Sequence, residues 1–411
     1  MEKSMVAIIG GGAAGLFAAA VLSQRIDGVT IFEQNDRLGK KLSATGNGQG
    51  NVTNVALSCD RYFSVQNNPD TPARLAALFS RFSKAWLTEF LSQLGVLTFA
   101  DERGRVYPTS RQASSVTDAL RFSIAANGVD VRLSTRVCGL QRSNDGYVVE
   151  YAEKEGNRGK LHAKYLLICT GGKAAKNFGT DGGAYSLAGS FGHTLTALYP
   201  SLVQLKTDVS YTKTLKGIRA ADVKVTAYAQ GQEQASVLGD LIFTEYGASG
   251  DAVFRLSAYL TATDGERKLY VDFLPDLSRG ELTRFLTKKR QCCHYPSGDL
   301  LCGVLNNQIA RAVEKYAKAN GIAIESAVKK FPLTVTGNLG FDYAQVTKGG
   351  VPLLEVTDGF ESIYAPNAYL LGELLDIDGE CGGFNLHFAF ASAAAACEDI
   401  LSKIQKTRGQ V

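Results

Sequence analysis

Val6-Ala-Ile-Ile-Gly-Gly-Gly-Ala-Ala-Gly-Leu-Phe-Ala-Ala-Ala-Val21, continuing to Val29-Thr-Ile-Phe-Glu33, is the stretch that decides the fold. An apolar β-type run enters a glycine turn, a helix of small residues follows, and a second β-type run ends in a carboxylate. The glycines at 10, 12 and 15 take the spacing of a dinucleotide fingerprint. Gly10 permits the tight turn, Gly12 lets a pyrophosphate approach the backbone, and Gly15 lets the helix pack closely on the strand. Ala13 and Ala14 open that helix, whose first N–H groups suit a diphosphate. Glu33 stands roughly 20 residues beyond the turn, where an acid accepts from an adenosine ribose and repels a 2′-phosphate. The site therefore reads as one for FAD or NAD rather than NADP.

Working outward, residues 37–54 hold glycines and asparagines with little apolar periodicity, the composition of a loop along an extended, oxygen-rich ligand. Gln34, Lys40, Lys41, Gly46 and Asn51 join the fingerprint as cofactor-binding candidates. Leu75, Leu78, Phe82, Trp86, Phe90 and Leu94 have the spacing of one amphipathic helix over 72–94. A second helix opens within 109–120 behind serine and threonine caps. Residues 129–137 alternate as a strand that includes Val137, and a hairpin follows it. Tyr165-Leu-Leu-Ile-Cys-Thr-Gly-Gly172 is a buried strand entering another glycine turn, with Thr170 and Gly171 at its end. Parallel strands, glycine turns and crossover helices imply a doubly wound α/β sheet.

The character changes between 196 and 335. Short β-type runs to about 275 suggest a small barrel or sandwich, and 276–335 turns helical. The expected organisation is an FAD-binding domain split into 1–195 and 336–411, interrupted by a β-barrel-like part (196–275) and a helical part (276–335).

The tail carries the second signal, Tyr369-Leu-Leu-Gly-Glu-Leu-Leu-Asp-Ile-Asp-Gly-Glu-Cys-Gly-Gly-Phe-Asn-Leu386. A strand ending in Gly-Glu, then Gly-Gly and a helix start, forms the second half of many FAD sites. Gly372, Glu373, Asp376, Gly383, Asn385 and Leu386 are the candidates here. N–H groups of Asn385 and Leu386 at a helix N-terminus would stabilise an anionic reduced flavin.

Composition narrows the class. With 45% hydrophobic and 20% charged residues, the chain is an ordinary globular protein of two or three domains. Forty-four basic and 40 acidic residues leave a net charge of +4 with no long basic run, which argues against nucleic acid. No apolar run reaches the ~18 residues of a membrane span. The apolar start is interrupted by glycines and reads as fold, not as a targeting segment. Eight cysteines show neither a CxxC pair nor metal spacing, so no metal is expected. They fit reduced core thiols of a cytoplasmic protein, and the adjacent Cys292 and Cys293 fit an incidental pair.

The fingerprint, 40–54, 170–172, 192–194, 200–203, 241–250, 334–337, 344–351 and 372–385 together resemble the BaiN-type and aminoacetone-oxidase-like FAD flavoproteins. The resemblance spans nearly the whole chain and implies a discontinuous FAD domain with a barrel and helical insertion. Members often read Gly-Arg-Cys-Asn where this chain has Gly48-Gln-Gly-Asn51, and Ser-Tyr-Pro where it has Ala174-Ala-Lys176. The resemblance implies a reductase of conjugated C=C bonds fed by NAD(P)H, or an oxygen-using amine oxidase. A binding or RNA-modification accessory protein with a structural flavin is the third reading. No second GxGxxG serves a nicotinamide, which leaves transient NAD(P)H binding at the flavin face. Thr347, Gly349 and Gly350 are the substrate-side candidates, because glycines permit close approach. Lys348, read against a surface lysine, is a candidate for orienting an anionic substrate. Cys381 is a candidate redox thiol, and His387 a candidate proton donor read against a packed helix histidine. His162 and His193 read as structural. The expected partner is a small molecule, and sequence leaves the oligomeric state open.

Overall fold

A computed structural model describes residues 1–408 apart from 293 and 297, so Cys293 lies outside the described residues. Two compact units emerge, Met1–Tyr199 with the chain from Val346 onward, and Pro200–Gln345.

The first unit is built on a seven-stranded sheet. Asp130–Arg132, Val29–Phe32, Glu2–Ile9 and Arg158–Ile168 lie side by side and parallel. Val29–Phe32, Val6–Ile9 and Tyr165–Ile168 are buried, mostly apolar runs, as expected of parallel strands covered on both faces, whereas Asp130–Arg132 is a polar edge strand. The long strand Arg158–Ile168 then changes partner along its length. Its first half pairs antiparallel with Gly146–Glu153, which continues to Thr135–Ser143. Its second half pairs parallel with Ala368–Leu370. The tail of the chain thus completes the sheet begun by its first residues, and the Rossmann-like domain is discontinuous.

Helix Ala13–Ser23 is buried at Ala14 through Ala20 and at Leu22, so it is enclosed on nearly every side, its small residues allowing close approach and Phe17 filling the larger space. It packs on the C-terminal helix Phe384–Arg408, with the Phe17 and Phe390 rings 5.2 Å apart. The expected single helix over 72–94 is two, Thr71–Arg81 and Lys84–Gln93. Ser83 is extended and its hydroxyl accepts from Trp86 N at 3.3 Å, so a helix cap interrupts the apolar spacing without changing it. The expected strand over 129–137 also breaks in two. Ser134 adopts φ +51° between a parallel edge strand and the antiparallel hairpin. Helix Ala113–Ala126 starts behind Gln112, with no side-chain cap.

The second unit is a closed six-stranded barrel in the order Leu205–Thr207, Gly247–Ser249, Gln232–Thr244, Arg219–Ala229, Arg267–Asp272, Phe331–Asn338. Pairing of the first with the last strand closes it, which decides between barrel and sandwich. The last strand runs to Asn338, past the boundary expected at 335. Helices Arg279–Cys292, Asn307–Asn320 and Ile324–Lys329 therefore fall within the barrel sequence, ahead of its closing strand. Among the described residues no helix is long and apolar enough to cross a membrane.

Candidate functional site

The fingerprint turn sits where two parallel strands end. Gly10 N donates to Phe32 O, and Cys169 N to Ile9 O, each at 2.8 Å. Gly10 has φ +97°, and a Cβ there would lie 2.5 Å from the Cys169 carbonyl oxygen. A Cβ on Gly15 would overlap the Gly10 carbonyl oxygen. Gly12 differs, because a Cβ there would meet nothing within 4 Å. Gly12 caps helix Ala13–Ser23 with no side-chain hydrogen bond, and no acid occupies the first turn. The N–H groups at Ala13 and Ala14 thus head an uncapped helix over open space, a donor set that suits a diphosphate.

Glu33 is buried behind this turn. Its Oε2 accepts from Gly11 N at 2.8 Å, and its Oε1 from Asn35 N at 2.8 Å and Asn35 Nδ2 at 2.7 Å. Oε2 takes a single protein donor, which leaves acceptor capacity for a ribose hydroxyl. The strand carrying Val137 starts beside it, with Thr135 N bonded to Glu33 O at 2.9 Å. The Gln34 amide donates to the Gly179 carbonyl. Lys40 pairs with Asp36 at 2.7 Å on the outer side.

Lys41 reaches across to the tail, its Nζ 2.6 Å from Glu373 Oε2. Glu373 Oε1 accepts from Thr347 N at 2.9 Å, and Thr347 Oγ1 accepts from Lys173 N and Ala174 N at 2.7 and 2.9 Å. One carboxylate therefore locks the 40–44 helix, the Gly171–Gly172 turn and the Val346–Lys348 strand together. Gly372 N is held by Ser392 Oγ at 3.1 Å. Two buried oxygens, Asn51 Oδ1 beyond the Gly46 turn and Thr170 Oγ1, have no hydrogen-bond partner among the described residues. Buried polar atoms are nearly always satisfied, so these suit a ligand rich in hydroxyls and amides.

Helix Phe384–Arg408 starts beside Gly383 with no acid in its first turn. The Asn385 side chain closes a two-way bond with Gly379, its Nδ2 donating at 2.7 Å and its Oδ1 accepting at 2.8 Å. What Asn385 and Leu386 offer a ligand is therefore their backbone N–H groups. An uncapped helix start at Ala13, a second helix start with no acid in its first turn, a carboxylate with spare capacity and two orphaned oxygens fit FAD.

Other candidates behave differently. Asp376 is fully buried and accepts from Ser64 Oγ at 2.8 Å and from Val65 N and Gln66 N at 2.9 Å. Burial raises its pKa despite these donors, and its role is to hold residues 64–66 against the tail. Lys348 is not a surface lysine. It is 5% exposed, its Nζ lies 2.9 Å from the fully buried Asp378 and 4.3 Å from the centre of the Phe63 ring. The glycines at 349 and 350 approach the chain itself. A Cβ on Gly349 would strike the Ala197 carbonyl, and one on Gly350 would lie 2.5 Å from the Leu374 carbonyl oxygen. Thr347 is also buried, so this segment is internal support and not an open substrate face.

His387 is fully buried, with Nδ1 2.8 Å from Thr53 Oγ1 and Nε2 2.8 Å from Phe82 O. Nε2 must donate to the carbonyl, so Nδ1 accepts, and burial lowers the pKa to about 4. A neutral imidazole with both nitrogens engaged is a packing histidine, not a proton donor. His193 is similarly enclosed by Glu355 and Ser362, and His162 by Ser143 and Asp145. Cys381 is half-buried on the turn leading to Gly383. Sequence reasoning missed Asn35, whose donors hold Glu33, and Asn54, whose Nδ2 bonds Gly382 O at 2.9 Å. Asparagine next to the acid and within the 46–54 loop was the available signal.

The family model described as HI0933-like protein Rossmann domain matches residues 4–399. A 3-dehydro-bile acid delta(4,6)-reductase of Clostridium scindens is 36% identical over 95% of this chain and 97% of its own length. A ribosomal RNA dihydrouridine synthase of Escherichia coli is 25% identical over 98% of this chain and 99% of its own. Among solved structures, a 3-ketosteroid-delta4-(5alpha)-dehydrogenase from Rhodococcus jostii has a TM-score of 0.54 at 14% identity. That match covers 97% of both chains and is a likeness of fold. With a family match across nearly its whole length, the chain belongs to the HI0933-like Rossmann family, a family of FAD-dependent oxidoreductases.

Proposed function

We propose that this FAD-dependent oxidoreductase reduces a C=C bond conjugated to a carbonyl in a small, steroid-like molecule, with NAD(P)H as electron donor. The observation that carries the reading is the full-length relative at 36% identity, named as a reductase of a 3-dehydro-bile acid. A second observation supports the reaction class. Dihydrouridine is uridine saturated at a C=C bond beside a carbonyl, so relatives with unrelated substrates share one bond change. Identity of 25–26% to those relatives, and a net charge of only +4, favour the small molecule over RNA.

Bound FAD would supply the hydride for the β-carbon. Gly12 and the start of helix Ala13–Ser23 would hold the diphosphate, and Glu33 the ribose. Lys41, Glu373 and Thr347 fix the loops that would line the ribityl chain. The first N–H groups of helix Phe384–Arg408 would favour negative charge on the cofactor when it is bound. Of the three catalytic candidates only Cys381 is partly exposed on the flavin-side turn, so it is the proposed proton donor to the α-carbon. Anaerobic incubation with NAD(P)H and an enone tests the reading by mass spectrometry. The expected product carries two extra hydrogens and slows in formation for Cys381→Ala. Hydrogen peroxide formed from primary amines in air, with no saturated product, would replace the reductase by an oxidase.

A further inference from the structure

Lys348 is a buried cation that neither the fold nor the proposed chemistry accounts for. It ends the short strand Val346–Lys348, whose middle residue, Thr347, joins Glu373 to the chain that follows the Gly171–Gly172 turn. Lys348 itself reaches a second short strand, Asp378–Gly379, which pairs antiparallel with Tyr62–Phe63. Asp378 stands opposite Phe63, and the ammonium engages both, 2.9 Å from Asp378 Oδ1 and 4.3 Å from the centre of the Phe63 ring. The next pair along this ribbon is fastened to the helix start at Phe384. Gly379 is bonded both ways by the Asn385 amide, and the Tyr62 hydroxyl donates to Phe384 O at 2.8 Å. Lys348 thus links the segment assigned to the ribityl chain with the helix start assigned to the flavin ring.

Lys348 and Asp378 are 5% and 0% exposed, and such a pair gives up hydration that its mutual attraction seldom returns in full. Packed apolar residues would serve the fold as well, so stability does not explain the pair. Its hydrogen bonding is also incomplete. An ammonium carries three donors, and among the described residues the one acceptor for Lys348 Nζ is Asp378 Oδ1. Asp376 is a second carboxylate within reach of the charge, which lowers its pKa against the larger effect of burial. Spare donors on a cation with almost no access to water suit a ligand acceptor. An isoalloxazine offers ring nitrogens and carbonyl oxygens of that kind.

We propose that Lys348 donates to an acceptor of the bound isoalloxazine and raises the reduction potential of the flavin, while Asp378 holds the ammonium and partly offsets its charge. A fixed cation beside the ring favours the electron-rich reduced form. The proposal rests on the cofactor placement proposed above, not on the direction of electron flow.

The test is a reductive titration of the FAD-loaded full-length protein against an indicator dye, with flavin content and a melting curve recorded for each variant. Lys348→Met is expected to raise the ratio of oxidised to reduced flavin at a fixed potential about tenfold or more, a fall of roughly 30 mV for a two-electron couple. Asp378→Asn should shift the potential the other way. Lys348→Arg, which keeps the charge, should change the ratio less than about threefold. A pair that served packing alone would cost stability in both single variants without opposite shifts of potential. Where Lys348→Met does not retain FAD, the double variant with Asp378→Asn removes the uncompensated carboxylate, and its potential should still fall. An unchanged potential in the variants lacking Lys348, or falls of equal size in Lys348→Met and Asp378→Asn, would overturn the proposal. Because a dye and not a nicotinamide poises the flavin, that failure would leave the reductase reading standing. Opposite shifts in a protein whose reduced flavin no enone reoxidises would sustain the role of Lys348 and overturn the reductase reading.

Discussion

Gly12 and Gly15 show how one motif divides its work between ligand and fold. An alanine at 15 would collide with backbone, whereas one at 12 would meet only open space at an ordinary φ of −78°. Gly12→Ala is therefore expected to keep the thermal stability of the cofactor-free protein and to lose FAD during purification. Absorbance of the released flavin and a melting curve check both halves, and an equal flavin content would remove the diphosphate from this turn. His387 offers a second test at this scale. Its folded pKa of about 4 lies below the ordinary 6.5, so the unfolded chain takes up a proton first as pH falls. The contribution is fully present above pH 6.5 and is lost between there and about pH 4, up to roughly 3 kcal/mol. His387→Gln should be less stable at neutral pH and show a flatter decline across that window in denaturant titrations. A decline as steep as in the unaltered protein would mean that His387 is not the neutral, enclosed residue described.

Among elements, the short strand Ala368–Leu370 has the largest consequence for its length. It pairs with the C-terminal half of Arg158–Ile168, and the chain leaving it carries Glu373 and the helix start at Phe384. A chain ending at residue 345 is expected to lose FAD and expose the apolar faces of Ala13–Ser23 and its neighbours. Soluble, FAD-loaded protein from that truncation would contradict the discontinuous domain. The strand–turn–helix at 6–23 was legible in sequence because close packing allows few residue types at each glycine. The break at Ser83 was not, because Phe82 and Trp86 keep helical spacing across a capped interruption. Nor was the setting of Lys348, since its partner Asp378 comes from a different segment and only the fold brings the two within 2.9 Å. Gly349 and Gly350 misled for a related reason. Glycine signals close approach, but sequence does not say to what, and here the neighbours are Ala197 and Leu374.

For the whole molecule, a Rossmann-like unit contributed by both chain ends holds every proposed cofactor residue, and a closed barrel with helices occupies the interval. That arrangement supports a flavin but does not set the direction of electron flow, so the direction is the point to measure. Anaerobic stopped-flow absorbance at the flavin band, with NADH, NADPH and primary amines as alternative donors, examines it in one experiment. The account predicts bleaching by a reduced nicotinamide and recovery of the oxidised band on mixing with a conjugated enone. Bleaching by amines alone, or by none of the donors, would contradict it.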